Sequence, residues 1–369
     1  MFDLFAFWRR TTGGLDARQL WDQFRRETRS GLDLYSAETG RNLREEWSAR
    51  RGKGRVITAV AGAMFKRLTP VRRVLFVVAL VLLVLPSVDY STRTGNHIVF
   101  NSTPAAVILL ILLIFELADR VGLKRDLEIA KDIQRMLLPE QPPAIPGIDI
   151  AFATKAANTV AGDYYDAFPR ANTNDSRLLL IVADVAGKGI PAGLLMAAVQ
   201  TGFHTLAADD VPLTELAARL NRSMCERSGG GRHLITAFIA ELDIAARSFA
   251  WVNAGHNPPI LRRRAGALEY LKDGGIPLGA FPAAGYESGR TELGPGDVLF
   301  IYTDGVIEAQ SESGAEYGDD RLAKLVSALS AADAAASLGH IFESVDRFAG
   351  ATPQYDDITC LVLRVAEPQ

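Results

Sequence analysis

Cysteine is almost missing: the chain has two, Cys225 and Cys360, in 369 residues. A disulfide framework or a thiolate zinc site needs more, so the bulk of the protein suits a reducing compartment. Histidine is scarce as well, with five scattered residues and no HExxH pair. There is no GxxxxGK[ST] loop and no GxSxG turn, which removes the P-loop nucleotide hydrolases and the serine-hydrolase elbow. The 32 glycines follow no triplet period, which excludes a collagen-like chain, and a hydrophobic fraction of 48% excludes a disordered one. Net charge is small at −3, but this is an average over unlike regions. Residues 1–70 carry 14 Lys and Arg against 8 Asp and Glu, whereas residues 126–369 carry 20 against 32. A basic front and an acidic back predict separate environments, and the acidic back argues against nucleic-acid binding.

What is present divides the chain into four. Residues 1–70 form a basic arm in which Leu20, Trp21, Phe24 and Leu43 lie among many charges. It reads equally as an amphipathic helix on an anionic membrane surface or as a solvated arm. Two apolar runs follow, at 71–90 and 98–118, each long enough to cross ~30 Å of hydrocarbon as a helix. Lys66, Arg67, Arg72 and Arg73 flank the first, and Arg120, Lys124 and Arg125 follow the second. Positive charge on both outer flanks predicts a two-helix transmembrane hairpin at 71–118, with both ends in the cytoplasm. That reading places the protein at the inner membrane with its remaining domain cytoplasmic. A buried helical hairpin is the competing reading. Residues 119–147 are a connector: helix formers with Leu123, Leu127, Ala130 and Leu137 on one stripe, interrupted by Gln134 and stopped by Pro139, Pro142, Pro143 and Pro146. A homodimer through this helix is a further expectation.

From 148 to 369 the pattern changes to short strands and a few helices. Strands are predicted at 177–183, 234–242, 248–253, 260–264, 268–271, 297–302 and 358–365, with helices at 190–206, 213–227, 319–332 and 334–348. Successive hairpins imply antiparallel sheets covered by helices, an α+β class. Aspartates recur where apolar segments end: Asp163 and Asp166 in AGDYYD, Asp184 in VADVAGKG, Asp304 in YTDG, Asp356 and Asp357 in YDDIT. One carboxylate at a strand end is an ordinary turn residue. Four such places in one domain suit a hard divalent cation, because clustered carboxylates repel unless a cation neutralises them. The residues alone therefore support a Mg²⁺- or Mn²⁺-dependent hydrolase.

The strings AGDYYD, VADVAGKGIPAGLLMA, NAGHNPP, GIPLG, YTDGVIEA and DDITCLVL, in that order, resemble the metal-dependent serine/threonine protein phosphatases (PPM, type 2C-like) of the bacterial SpoIIE/RsbU type. The resemblance runs over about two thirds of the chain. It implies two antiparallel sheets packed as a sandwich, flanked by helices, with a two-ion Mn²⁺ or Mg²⁺ site at one edge. Asp163 would bridge the ions. Asp184 and the Val185 carbonyl would serve one, and Asp304 and Asp356 the other, with the role of Asp357 open. The implied reaction is direct hydrolysis of phosphoserine or phosphothreonine on a partner protein, of the anti-sigma-factor antagonist type. Lys188 stands near where type 2C relatives place a histidine proposed as general acid, and no counterpart of their phosphate-binding arginine is evident. His256, Asn253 and Asn257 read as structural hydrogen-bonding residues and Cys360 as core. A scaffold that binds a phosphoprotein without turnover, and a membrane structural or transport component, are the rival readings.

Overall fold

A computed structural model describes residues 68–84, 89–91, 97–99, 103–171, 176–227, 233–329 and 333–366, with single positions between 56 and 66. The basic arm therefore lies almost wholly outside the described residues. The chain divides into two compact units, Met1–Val121 and Gly122–Gln369.

In the first unit, helix α1 (Pro70–Val84) is followed by the strand pair β1 (Asp89–Ser91) and β2 (His97–Val99). Helix α2 (Thr103–Leu137) then runs 35 residues, so the second apolar run and the connector are one element. Arg72 of α1 donates to Asp119 of α2 at 2.6 Å and lies over the Phe115 ring. The expected transmembrane hairpin is not supported: among the described residues no helix is long and apolar enough to cross a membrane. The physical reason is length and charge. Helix α1 has 15 residues, about 22 Å at 1.5 Å rise, short of a ~30 Å hydrocarbon layer. In α2 the apolar stretch ends at Glu116, with Asp119 and Arg120 close behind.

The second unit is a four-layer sandwich. One sheet holds β4 (Tyr164–Pro169), β5 (Arg177–Val185), β6 (Ile235–Asp243), β7 (Ser248–Ala254), β10 (Gly274–Gly275) and β11 (Gly289–Glu292). Its strand order is β10-β7-β6-β5-β4, with β11 also on β7. The other sheet has the order β3-β13-β12-β8-β9, from β3 (Ile148–Lys155), β8 (Ile260–Arg262), β9 (Leu268–Tyr270), β12 (Val298–Tyr302) and β13 (Ile358–Val365). Nearly all pairings are antiparallel; β10 with β7 is a short parallel exception. Helices α3 (Ile190–Ala207) and α4 (Leu213–Arg227) cover the first sheet, and α5 (Asp319–Ala328) and α6 (Ala334–Ala349) the second.

Alternation within β5 shows how the run RLLLIVA fits. Leu178, Leu180 and Val182 point between the sheets, against Leu299, Ile301 and Leu361. Leu179, Ile181, Ala183 and Val185 face α3 and α4, against Met196, Phe203 and Leu220. A strand buried on both faces reads as a continuous apolar run rather than an alternating one.

Candidate metal centre

All four aspartate motifs lie at one end of this sandwich. Asp163 immediately precedes β4, and Asp184 is the second-last residue of β5. Tyr164 registers with Ala183, which brings Asp163 alongside Asp184. In the other sheet, β12 ends at Tyr302, and Asp304 opens a single 3-10 turn, Asp304–Val306. Asp356 and Asp357 immediately precede β13, whose Cys360 registers with Tyr302. Each sheet thus contributes two of the motifs.

Gly162 and Gly305 permit this approach of backbones. A Cβ on Gly305 would stand 2.1 Å from the Asp357 carbonyl oxygen, and one on Gly162 3.0 Å from the Val185 carbonyl oxygen. The Val185 carbonyl oxygen thus lies close to the residue before Asp163, while its side chain is buried in the core.

The carboxylates perturb one another. Burial, then the charge of Asp184, pushes the Asp163 carboxyl well above its ordinary value. Burial, then Asp304 and Asp356, pushes Asp184 up to about 7. Asp304 is raised by burial and by Asp356. Raising of this kind follows from burial and from like charges crowded together. The donor set is all oxygen, the chemistry that suits Mg²⁺ or Mn²⁺. Among the described residues no three His, Cys, Asp or Glu side chains form a ready-made cation cage. Part of the acidic charge is turned instead toward the chain's own groups: the Thr303 hydroxyl donates to Asp163 at 2.9 Å, and the Lys188 ammonium lies 3.1 Å from Asp356. The residues fit divalent cations by chemistry and by location.

Asp357 has a different position from its neighbour. Both its oxygens accept backbone N–H groups, from Ala157 and from Gly162, each at 2.7 Å. It clamps the segment leading into Asp163, whereas Asp356 stays partly exposed and faces the cluster. Thr303 and Thr359 extend the support, because the Thr359 N–H donates to the Thr303 hydroxyl at 3.0 Å. Gln134 of α2, which interrupts the connector's stripe, is buried and pairs with Ala161: its amide donates to the carbonyl at 2.7 Å and accepts from the N–H at 3.0 Å. The sequence marks these supports only indirectly: Gln134 as a polar break in an apolar stripe, Asp357 as the second acid of YDDIT, and Thr303 and Thr359 as the threonines within YTDG and DDIT.

His256 is buried next to this end of the sheet. Its Nδ1 lies 3.1 Å from the Thr236 hydroxyl, and Thr236 registers with Asp184. Burial pulls the imidazole down to about 4, so it is neutral. The Asn253 side chain accepts from the His256 N–H and donates to its carbonyl, which is a loop-bracing arrangement. A cavity of about 330 Å³ opens beside Gly305 and Asp356, walled by Val345 and Ala349 of α6, with Glu308 and Tyr355 among its lining residues.

The chain matches the family model described as Stage II sporulation protein E (SpoIIE) over residues 174–366. It is 28% identical over 243 residues to the phosphoserine phosphatase RsbU of Bacillus subtilis, covering 66% of this chain and 70% of RsbU. Phosphoserine phosphatase RsbP of the same organism is 28% identical over 192 residues, covering 51% of this chain and 47% of RsbP. Among solved structures, the RsbU and RsbW domains of Rv1364c from Mycobacterium tuberculosis superpose with a TM-score of 0.52 at 26% identity, over 62% of this chain and 64% of that one. The SiaA-PP2C domain of Pseudomonas aeruginosa gives 0.59 at 21% identity, over 67% of this chain and 98% of the domain, a likeness of fold.

Proposed function

The chain belongs to the SpoIIE family, and from that premise we propose that it is a metal-dependent protein serine/threonine phosphatase acting on a phosphorylated partner protein. The observation that carries this reading is the convergence of Asp163, Asp184, Asp304 and Asp356, from both sheets, into one cluster, in which burial and neighbouring charge raise Asp163, Asp184 and Asp304. Two Mn²⁺ or Mg²⁺ ions held by these four carboxylates and the Val185 carbonyl would supply Lewis-acid activation of water and charge neutralisation at the phosphoryl group.

The chain's own residues set the stage for that chemistry. Thr303 orients Asp163. Asp357 fixes the approach of Gly162 and hence of Asp163. The two cysteines do not act as nucleophiles: Cys360 is buried, and burial raises both thiols. The cavity beside Asp356 would take the residues flanking the phosphorylated side chain. The partner we propose is a small phosphorylated regulator of the antagonist type named above, met in the cytoplasm, in keeping with two free thiols.

The test is phosphate release from a phosphoserine peptide by the full chain, with Mn²⁺, with Mg²⁺ and with chelator, beside Asp304→Asn. Release that needs metal and falls at least ~100-fold in the variant is the expected outcome. An Asp304→Asn protein with full metal-dependent activity would refute the ligand set, and wild-type protein that binds metal but releases nothing from any phosphoserine or phosphothreonine protein would favour the scaffold.

A further inference from the structure

A phosphate monoester carries about two negative charges at neutral pH, and it must enter a mouth already crowded with carboxylates. Among the described residues, Lys188 is a cation poised there by several contacts. It sits between Gly187, at φ 120°, and Gly189, at φ 74°, in the loop that joins β5 to α3. Its ammonium donates to the Tyr355 carbonyl at 2.6 Å, lies 3.1 Å from an Asp356 oxygen and stands 3.8 Å from the centre of the Tyr355 ring. The side chain is 41% exposed, so it faces solvent as well as the cluster. Its charge partly offsets the rise that burial and Asp356 impose on Asp304. Lys155, on the wall of the neighbouring cavity, is engaged elsewhere, with Asp346 at 2.6 Å.

These contacts have the form of a resting place rather than of a buried structural pair. A structural counter-ion for the cluster would be enclosed, whereas Lys188 is half in water and its flanking glycines have open space around them. The aromatic face of Tyr355, itself 71% exposed, supplies a weak second hold on the ammonium. A cation held this loosely beside Asp356 can exchange one carboxylate for a better anion without a rearrangement of the fold.

We propose that Lys188 is the phosphate-binding cation of this site, parked on Asp356 and Tyr355 and transferring its ammonium to the non-bridging oxygens of the substrate phosphate. The role is electrostatic and positional; no proton moves. It rests on the phosphatase reading given above and names the chain's own group that recognises the phosphate.

The experiment uses the full chain as wild type, Lys188→Met and Lys188→Arg. Inorganic phosphate is titrated into the Mn²⁺-loaded proteins by calorimetry, Mn²⁺ is titrated into the metal-free proteins, and KM and kcat are measured on a phosphoserine peptide. The expected result is roughly tenfold weaker phosphate binding and a roughly tenfold higher KM in Lys188→Met. Lys188→Arg recovers most of both, and Mn²⁺ affinity in Lys188→Met is unchanged or higher, because a competing cation is gone. Phosphate binding that is the same in Lys188→Met and wild type overturns the proposal. So does loss of Mn²⁺ binding together with phosphate binding in that variant, since the lysine would then serve the carboxylates and not the substrate. Wild-type protein that binds phosphate through Lys188 but releases none from phosphopeptides would sink the phosphatase reading and leave this assignment standing.

Discussion

Asp356 and Asp357 are adjacent and chemically identical, yet their surroundings separate their roles. Asp357 gives both oxygens to backbone N–H groups, so Asp357→Asn must leave one buried N–H facing an amide NH₂. Leaving a buried donor unpaired costs about 1–3 kcal/mol, and thermal melting in chelator should show that loss. Asp304→Asn removes a charge from the crowded cluster and should leave metal-free stability equal or raised. Equal destabilisation by the two variants would contradict this division. The same crowding predicts a pH dependence. Asp184 is raised from 3.8 to about 7, so its proton is a folded-state gain that is complete below its unfolded value and lost as pH rises through about 7. Asp163, raised well above its ordinary value by burial and by Asp184, adds in the same direction. His256, lowered to about 4, opposes only below its unfolded value of 6.5. Melting temperature in chelator should therefore fall from pH 6.5 to pH 8, and less steeply in Asp184→Asn. A flat or rising profile there would show that the cluster is not coupled as described. At this scale the sequence is informative about identity and silent about support: Asp at the border of an apolar segment marks strand ends, but which oxygen meets which N–H depends on contacts made nearly 200 residues apart.

Among elements, legibility followed periodicity. Strand β5, the β6–β7 hairpin and helices α3 and α4 emerge from apolar runs and turn residues to within one or two residues. Strand β4 carries no strand signal in the sequence, because YYDAFP mixes aromatics with Asp and Pro on a sheet edge, where a proline is tolerated. Strand β11, GRTE, has no apolar pattern and is held by its pairing with β7. The two apolar runs suggest more than the fold delivers, since hydropathy over about 20 residues does not register where a helix ends or where Glu116 falls. Gln134 breaks the apolar stripe, and the fold shows why a polar residue stands there: it is the tie between α2 and the strand-entry segment carrying Asp163. Gly193 of α3 faces the same place, since a Cβ there would stand 2.3 Å from Val160 Cγ1. Gln134→Ala strips two buried backbone groups of their partner and should cost about 1–3 kcal/mol in melting. It should also weaken Mn²⁺ binding, as Asp163 loses its fixed approach. Melting and Mn²⁺ calorimetry together check this; a variant that matches wild type in both would show that α2 merely adjoins the site.

For the whole molecule, the charge asymmetry and the two compact units tell the same story, a basic front joined to an acidic catalytic body. The aspartate cluster and its supports, from Gln134 to Thr359, lie in the second unit. The three buried clusters that hold the sheets and helices together lie there too. In the first unit, by contrast, α1 and the apolar part of α2 leave large side chains exposed, among them Val71 at 70%, Val74 at 63% and Leu110 at 56%. Large exposed apolar side chains in such number promote association. A fragment of residues 122–369 should therefore fold cooperatively, stay monodisperse by light scattering where the full chain associates, and retain metal-dependent release from a phosphoserine peptide within about threefold of the full chain. A fragment that folds and binds Mn²⁺ but hydrolyses nothing would mean that the first unit is needed to set the catalytic geometry, and would move the regulatory question to the first 121 residues. A fragment that fails to fold would mean that the clusters of the second unit are insufficient by themselves, against the burial seen in all three.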